Sequence, residues 1–256
     1  MSVFERNRTI YEAPEVVRHY ARTCELQPAE RTILAELADD LPHSSVLDIG
    51  VGGGRTTAHV GQRAKKYVAI DYAPRMISAA RARYAHLSFE FLVADARAMP
   101  FTGPSFDVAL FSHNGIDYVD HEDRLRVFDE VHRVLFSGGL FVFSTHNLDR
   151  DDLEFVPRPQ EGLFRRARHA LHRARLRKHN PDYRQLRSRA HAMVNDGVFG
   201  FRAATYHVRL HTQVQQLQSA GFDNVRVFSG VTGSELVASP TCRPPDPWLY
   251  FTCRRP

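Results

Sequence analysis

The sequence predicts an α/β fold with a doubly wound, mostly parallel sheet, and three observations carry that expectation. Short apolar runs, VLDIG, YVAID, FEFLVAD, FDVALFS and GLFVFST, alternate from Val46 onward with stretches long enough to be crossover helices. The first run ends in a glycine-rich loop that opens a helix, the place where such a sheet holds its ligand. After the fifth run the pattern changes. NVRVFS and PWLYFTC read as a C-terminal antiparallel strand pair joined by a Pro- and Gly-containing loop.

Residues 1–45 form an N-terminal helical segment ahead of the sheet. Pro14 follows Ala13 near a helix start, and Val16, Val17, Tyr20, then Ile33, Leu34 and Leu37 recur at helical spacing. Residues 46–256 make the core domain. Within it, residues 147–205 are too many for an ordinary connection and predict a helical, basic insertion after the fifth strand that serves as a substrate lid. Leu163, Phe164, Ala167, Ala170, Leu171 and Ala174 keep a helical spacing there, which predicts an amphipathic helix with arginines on its other face. Beyond the insertion, His207, Arg209 and His211 alternate with Tyr206, Val208 and Leu210 as in a strand with one polar face, placed to line an acceptor pocket. Thr212 and Gln215 have the spacing of a capping box, and Gly221 reads as the stop of that last helix.

The chain has 256 residues, 43% of them hydrophobic, enough to bury a full core. The N-terminal MSVFERNRTIYE has no apolar run behind its charges, and no stretch has the roughly 18 apolar residues of a membrane span, so a cytoplasmic protein without membrane partners is expected. Cys24, Cys242 and Cys253 are widely spaced and lack a CxxC pair, so neither a disulfide framework nor a metal site is signalled. The formal charge of +5 is concentrated: residues 158–189 hold eleven Lys or Arg against Glu161 and Asp182. The basic character is therefore local.

The loop VLDIGVGGGRTT, residues 46–57, places Gly50, Gly52 and Gly54 where a chain must turn sharply and approach a ligand closely. Amides at the following helix start can receive a carboxylate. Two acids stand in register with it. Asp71 ends the second strand, where a carboxylate can accept both hydroxyls of a ribose; Asp95 ends the third, where it can accept from an adenine amino group while the Ala96 amide donates to the ring.

On these residues the sequence resembles the class I S-adenosylmethionine-dependent methyltransferases, from about Val46 to Asn147 and again over the terminal helix and strand pair. Asp48, Gly50, Gly52 and Gly54 fall on that family's DxGxGxG loop, with Arg55 beside them. Asp71 falls on its ribose acid, Tyr72 and Met76 on flanking adenosine contacts, Asp95 on its adenine contact, and GGLFVFS, residues 138–144, on its fifth strand. The resemblance implies a Rossmann-like fold, S-adenosylmethionine as cofactor and S-adenosylhomocysteine as product. It also implies a methyl group directed at the loop Ser112, His113, Asn114, Gly115, so Ser112 and Asn114 join the cofactor set. Tyr11 and Tyr20 on the leading helices can close over the cofactor or pack in the core.

A nicotinamide-dependent oxidoreductase is the rival, but Arg55 stands where its GxGxxG loop needs a third glycine. Methyl transfer to a hydroxyl gains from a base, and His113 and His146, ending the fourth and fifth strands, are the candidates; each can equally bond its own loop. Asn114 and Asn147 can orient an acceptor or stabilise turns. The fourth-strand loop lacks the (D/N)PP(Y/F) motif of enzymes that methylate nucleobase amines. The expectation is methyl transfer to an oxygen or nitrogen of a small polar or anionic metabolite. An RNA methyltransferase using the basic insertion is second, and a nucleic-acid-binding protein that merely holds a cofactor is third.

Overall fold

The computed structural model describes residues 3–150, 163–239 and 242–256. Three helices come first: α1 (Val3–Tyr11), α2 (Pro14–Arg22) and α3 (Pro28–Glu36). Proline at the first turn starts α2 and α3, where its missing N–H costs nothing. Gln27 caps α3 in a reciprocal box: its main-chain N–H donates to Glu30 at 2.7 Å, and its side chain accepts from the backbone at Glu30.

The alternating part follows as β1 (Ser45–Ile49), α4 (Thr57–Val60), β2 (Lys66–Asp71), α5 (Pro74–Arg83), β3 (Glu90–Val93), β4 (Phe106–Phe111), α6 (His121–Val134) and β5 (Leu135–Asn147). Then come α7 (Leu163–His179), β6 (His191–Val194), β7 (Thr205–Val208), α8 (Leu210–Ser219), β8 (Asp223–Ser229), β9 (Glu235–Leu236) and β10 (Trp248–Arg254). The described strands form one sheet in the order β3-β2-β1-β4-β5-β10-β8-β9, with β6 and β7 branching from β5. The pairs from β3 through β5 are parallel, and β10 runs antiparallel to both β5 and β8. This is a Rossmann-like fold with antiparallel strands at its C-terminus.

Alternation along each strand divides the core. Leu47, Ile49, Val68 and Ile70 face α6 and α8, meeting Val127, Phe128, Val131 and Leu217. Val46, Tyr67, Ala69 and Val108 face the other way, onto Ile33 and Leu34 of α3 and Ile77 and Ala80 of α5.

Strand β5 outruns its neighbour. β4 ends at Phe111, whereas β5 continues to Asn147 and takes β7 as a parallel partner, with His146 opposite His207 and Asn147 opposite Val208. The insertion thus returns to the sheet just past the end of β4, beside the loop the sequence singles out. Its hairpin, β6 with β7, was not foreseen.

Three local expectations need correction. The strand over 206–211 stops at Val208; Arg209 precedes α8 and donates to the Arg189 carbonyl, while His211 lies exposed in α8. The Thr212–Gln215 capping box does not form, because α8 has already begun at Leu210, whose side chain is buried in the core. Gly221 does follow the last helical turn, with φ +87°. In α7, Ala170, Leu171 and Ala174 are exposed, with Leu171 56% accessible. The helix instead buries Leu176, followed by Asn180, which donates to the Asn195 carbonyl. The side chains of Leu163, Phe164 and Ala167 lie outside the described residues, as do Arg158 and Glu161. No helix among the described residues is long and apolar enough to cross a membrane.

Candidate active site

The glycine-rich loop is held by its own strand and by the leading helices. Asp48 is buried and accepts hydrogen bonds from the hydroxyls of Thr56 and of Tyr67, the latter at 2.6 Å. Burial pushes its carboxyl up to about 6. It braces the loop from behind and does not line the cavity in front. Gly50 turns with φ +63°, and a Cβ there would meet the Phe111 ring at 2.6 Å. Gly53, which the sequence pattern did not single out, is the tighter requirement, since a Cβ would lie 2.5 Å from the backbone of Ala21 in α2.

Arg55 locks the loop to α3. Its guanidinium donates to both oxygens of Glu30 at 2.5 and 2.6 Å, to Ser112 Oγ at 2.7 Å and to the Glu25 carbonyl at 3.0 Å. Burial alone would raise the Glu30 carboxyl, but the Arg55 hydrogen bonds and charge outweigh it and hold Glu30 below the usual range. A bidentate pair of this kind fixes geometry as well as charge.

Asp71 sits at the end of β2, opposite the loop. One carboxylate oxygen accepts from Gly52 N at 2.9 Å and the other from Ala73 N at 2.8 Å, which leaves each oxygen a further lone pair. Burial raises this carboxyl to about 6. The cavity before it is bordered by Gly50, Gly52, Arg55, Tyr72, Ala96 and Ser112, with Tyr11, Tyr20, His113 and Tyr118 closing it. The Tyr72 hydroxyl is buried there without a hydrogen-bond partner.

Several expected residues stand elsewhere. Gly54 accepts from the Tyr84 hydroxyl behind the loop, and Met76 is buried beneath α1 and α2. Asp95 is closed by Arg97, whose guanidinium also reaches Asp123 and lies 3.8 Å from the Phe4 ring centroid. Meeting an adenine amino group would require Asp95 to share its oxygens with that arginine. Asn114 borders a second cavity instead. Asn147 donates to the carbonyls of Pro244 and Asp246 and so stabilises the chain leading into β10.

The second cavity, of about 330 Å³, adjoins the first and shares Tyr20, His113 and Tyr118 with it. Both candidate histidines border it. His113 and Asn114 carry φ of +54° and +57°, a conformation that costs side-chain-bearing residues energy and that the surrounding contacts must enforce. The Asn114 amide N–H donates to Ser144 Oγ at 2.7 Å. Burial, and then the Arg55 charge, push the His113 imidazole down to about 4, so it is neutral at physiological pH.

His146 has a different setting. Its ring Nδ1 and its main-chain N–H both meet Asp117 Oδ2 at 2.7 Å. The other oxygen of Asp117 accepts from Thr145 Oγ1 at 2.7 Å and from Arg124 at 2.6 Å. A carboxylate at Nδ1 fixes the proton there and leaves Nε2 as an acceptor, 3.4 Å from the Asn114 Nδ2 donor. His207 stacks on the same ring, centroids 4.7 Å apart, as the β5–β7 register dictates. Burial keeps His207 neutral.

Sequence reasoning missed Asp117, Arg124 and Glu30. Asp117 lies only three residues past Asn114, in a short 3-10 turn (Gly115–Tyr118), so proximity to the fourth-strand loop was an available signal. Arg124 in α6 is fully buried, pairs with Asp117 and Gln213 Oε1, and lies 4.7 Å from the Tyr206 ring centroid. No local pattern marks an arginine as buried. Among the described residues no His/Cys/Asp/Glu group could hold a metal ion.

Known proteins are similar to parts of this chain. Residues 46–139 match a family model described as a methyltransferase domain. A demethylmenaquinone methyltransferase of Thermus thermophilus is 33% identical over 50% of this chain and 54% of its own length. A malonyl-(acyl-carrier protein) O-methyltransferase of Salmonella typhimurium is 32% identical over 49% of this chain and 48% of its own. The chain thus spans about half the length of the curated relatives it matches. The crystal structure of an S-adenosylmethionine-dependent methyltransferase from Mesorhizobium loti superposes with a TM-score of 0.59 at 21% identity, covering 89% of this chain and 98% of the other, which speaks to the fold alone. With the glycine loop, the acid at the end of β2 and the parallel sheet in place, residues 46–139 are similar to a methyltransferase domain, and the fold is the one seen in solved S-adenosylmethionine-dependent methyltransferases.

Proposed function

We propose that this protein transfers a methyl group from S-adenosylmethionine to a hydroxyl oxygen of a small molecule held in the second cavity. The observation that carries this is the His146–Asp117 pair at the wall of that cavity. The relatives' names point to small or carrier-borne acceptors, a quinone precursor in one case and a malonyl group in the other.

The residues of the first cavity suit the cofactor. Asp71 keeps lone pairs for the ribose hydroxyls, the amide of Ala96 and the unpartnered Tyr72 hydroxyl offer polar contacts, and the backbone at Gly50 and Gly52 leaves room for the methionine end. When bound, the cofactor supplies a sulfonium-activated methyl group. The protein's task is then to hold the acceptor in line and to take its proton, and positioning supplies much of the rate. In this account His146 Nε2 receives the hydroxyl proton, and the Asp117 carboxylate stabilises the imidazolium that forms. His113 is a poor proton acceptor because burial and Arg55 disfavour its charged form; it would shape the passage between the two cavities.

The test is to incubate the protein with methyl-labelled S-adenosylmethionine and a panel of small hydroxyl and amine compounds. Label should appear as a methyl ether of a hydroxyl compound and fall away in His146→Asn. Transfer confined to amines, undiminished in that variant, would contradict the proposal.

A further inference from the structure

We propose that the second cavity takes an uncharged aromatic compound whose ring hydroxyl is the methyl acceptor. This names the substrate class of the methyltransferase site proposed above and rests on that reading.

The walls are aromatic. Tyr20, Tyr118, Phe199, Trp248 and Tyr250 border the cavity, with Val198 beside them, and such faces favour a flat ring through stacked and edge contacts. What the described residues of the insertion contribute is apolar: Val198 and Phe199 border the cavity, and its described arginines do not.

Formal charge is also missing from the lining. Among the described residues no Lys, Arg, Asp or Glu borders the cavity. Two ions close to it are already paired. Arg55 is closed on Glu30, which also accepts from the Tyr250 hydroxyl at 2.9 Å, and Asp117 is occupied by Arg124, Thr145 and His146. With His19 and Gln27 as its remaining polar lining, the cavity offers a carboxylate or ammonium no permanent counter-charge for the hydration it loses, a cost an uncharged ligand avoids.

The polar corner selects a hydroxyl. Nε2 of His146 is an acceptor by the tautomer that Asp117 imposes, met only by the long 3.4 Å contact from Asn114 Nδ2, and Oδ1 of the same amide is buried with no partner. Two acceptors side by side call for an O–H donor. A carboxylate would set lone pairs against lone pairs, and an ammonium would bring positive charge toward Arg55 and the imidazole that must become cationic. In the step itself the hydroxyl O–H bond breaks, its proton passes to Nε2, and the oxygen electron pair forms the new bond to the methyl carbon as the carbon–sulfur bond gives its pair to sulfur.

Trp248 is the chain's single tryptophan, and it lines the cavity, so its emission reports occupancy. The experiment titrates three compounds of like shape and different charge, para-bromophenol, para-bromobenzoate and para-bromobenzylammonium, into the protein saturated with S-adenosylhomocysteine at neutral pH. Bromine quenching of Trp248 and calorimetry are read in parallel. We expect saturable quenching by the phenol with a Kd about tenfold or more below those of both charged compounds. Trp248→Phe should abolish the quenching, which assigns the signal to that residue, and His146→Ala should narrow the preference for the phenol. Equal or tighter binding of the benzoate or the ammonium would overturn the proposal, as would absence of saturable phenol binding in protein that binds S-adenosylhomocysteine. The titrations repeated without the cofactor product separate the two claims. A protein that prefers the phenol but does not bind S-adenosylhomocysteine would support the cavity's chemistry and refute the methyltransferase reading.

Discussion

Nδ1 of His146 lies 2.7 Å from Oδ2 of Asp117, and Oδ1 of the same carboxylate lies 2.6 Å from the buried guanidinium of Arg124. A strand end, a 3-10 turn and a helix thus meet at one carboxylate, which orients the ring that faces the second cavity.

Changing His146 to Asn should lower kcat by about a hundredfold or more, the usual worth of a positioned base. The Kd for S-adenosylhomocysteine should hold, because His146 does not border the cofactor cavity. His113→Asn should leave the shape of the pH–rate profile between pH 5 and 9 unchanged, since an imidazole held down at about 4 is neutral throughout. Steady-state kinetics with calorimetry checks both, and full turnover in His146→Asn would remove it as the base.

Cofactor affinity should depend on pH through Asp71. Its carboxyl titrates at about 6 in the folded protein because burial disfavours the charge. Above that pH the carboxylate is present and affinity is flat. Below it protonation removes acceptor capacity, so affinity falls by up to about tenfold per pH unit. Asp71→Asn should bind weakly and without this slope. Calorimetric titrations of S-adenosylhomocysteine from pH 7.5 down to 5 test it, and a level wild-type response would contradict the role given to Asp71.

Arg124→Met should destabilise the fold by about 3 to 5 kcal/mol, the cost of leaving a buried partner charge unpaired. The expected sufferer is Asp117, which is fully buried. Arg124→Met combined with Asp117→Asn should recover part of the loss, since no uncompensated charge remains. Urea unfolding of the single and double variants measures this, and equal losses in both would point to packing instead.

The arginines of the insertion should be dispensable for the cofactor. With Arg165, Arg166, Arg168, Arg173, Arg175 and Arg177 changed to Gln, the Kd for S-adenosylhomocysteine should stay within about twofold of wild type. Wild-type binding to a short mixed-sequence RNA should be weak and fall steeply with salt, as counterion release requires. Tight RNA binding that persists at physiological ionic strength would favour a nucleic-acid acceptor.

Legibility followed the range of the interactions. The five sheet strands before the insertion, the leading helices and the closing strand pair were readable because alternation and proline starts are local signals. Gly50, Gly52, Asp71, Tyr72, Ala96 and Ser112 were readable because a loop and strand ends in register imply one cavity, and they do converge on one. Of the network behind His146, Asp117 stood close in sequence to the fourth-strand loop, whereas Arg124, which pairs with Asp117, acquires meaning only when α6 packs under β5. The capping box and the polar strand near Thr212 failed for a related reason: a local pattern fitted, but burial of Leu210 set the helix start. The apolar stripe on α7 likewise gave way to the buried Leu176 and to Asn180, which bonds the unforeseen hairpin region at Asn195.

The most direct measurement is a calorimetric titration of the purified protein with S-adenosylhomocysteine beside a matched titration with NADH. The account predicts saturable binding of S-adenosylhomocysteine, weakened in Asp71→Asn by one to a few kcal/mol, on the order of two hydrogen bonds to a charged group, and no saturable heat with NADH. Saturable NADH binding with no response to S-adenosylhomocysteine would contradict it.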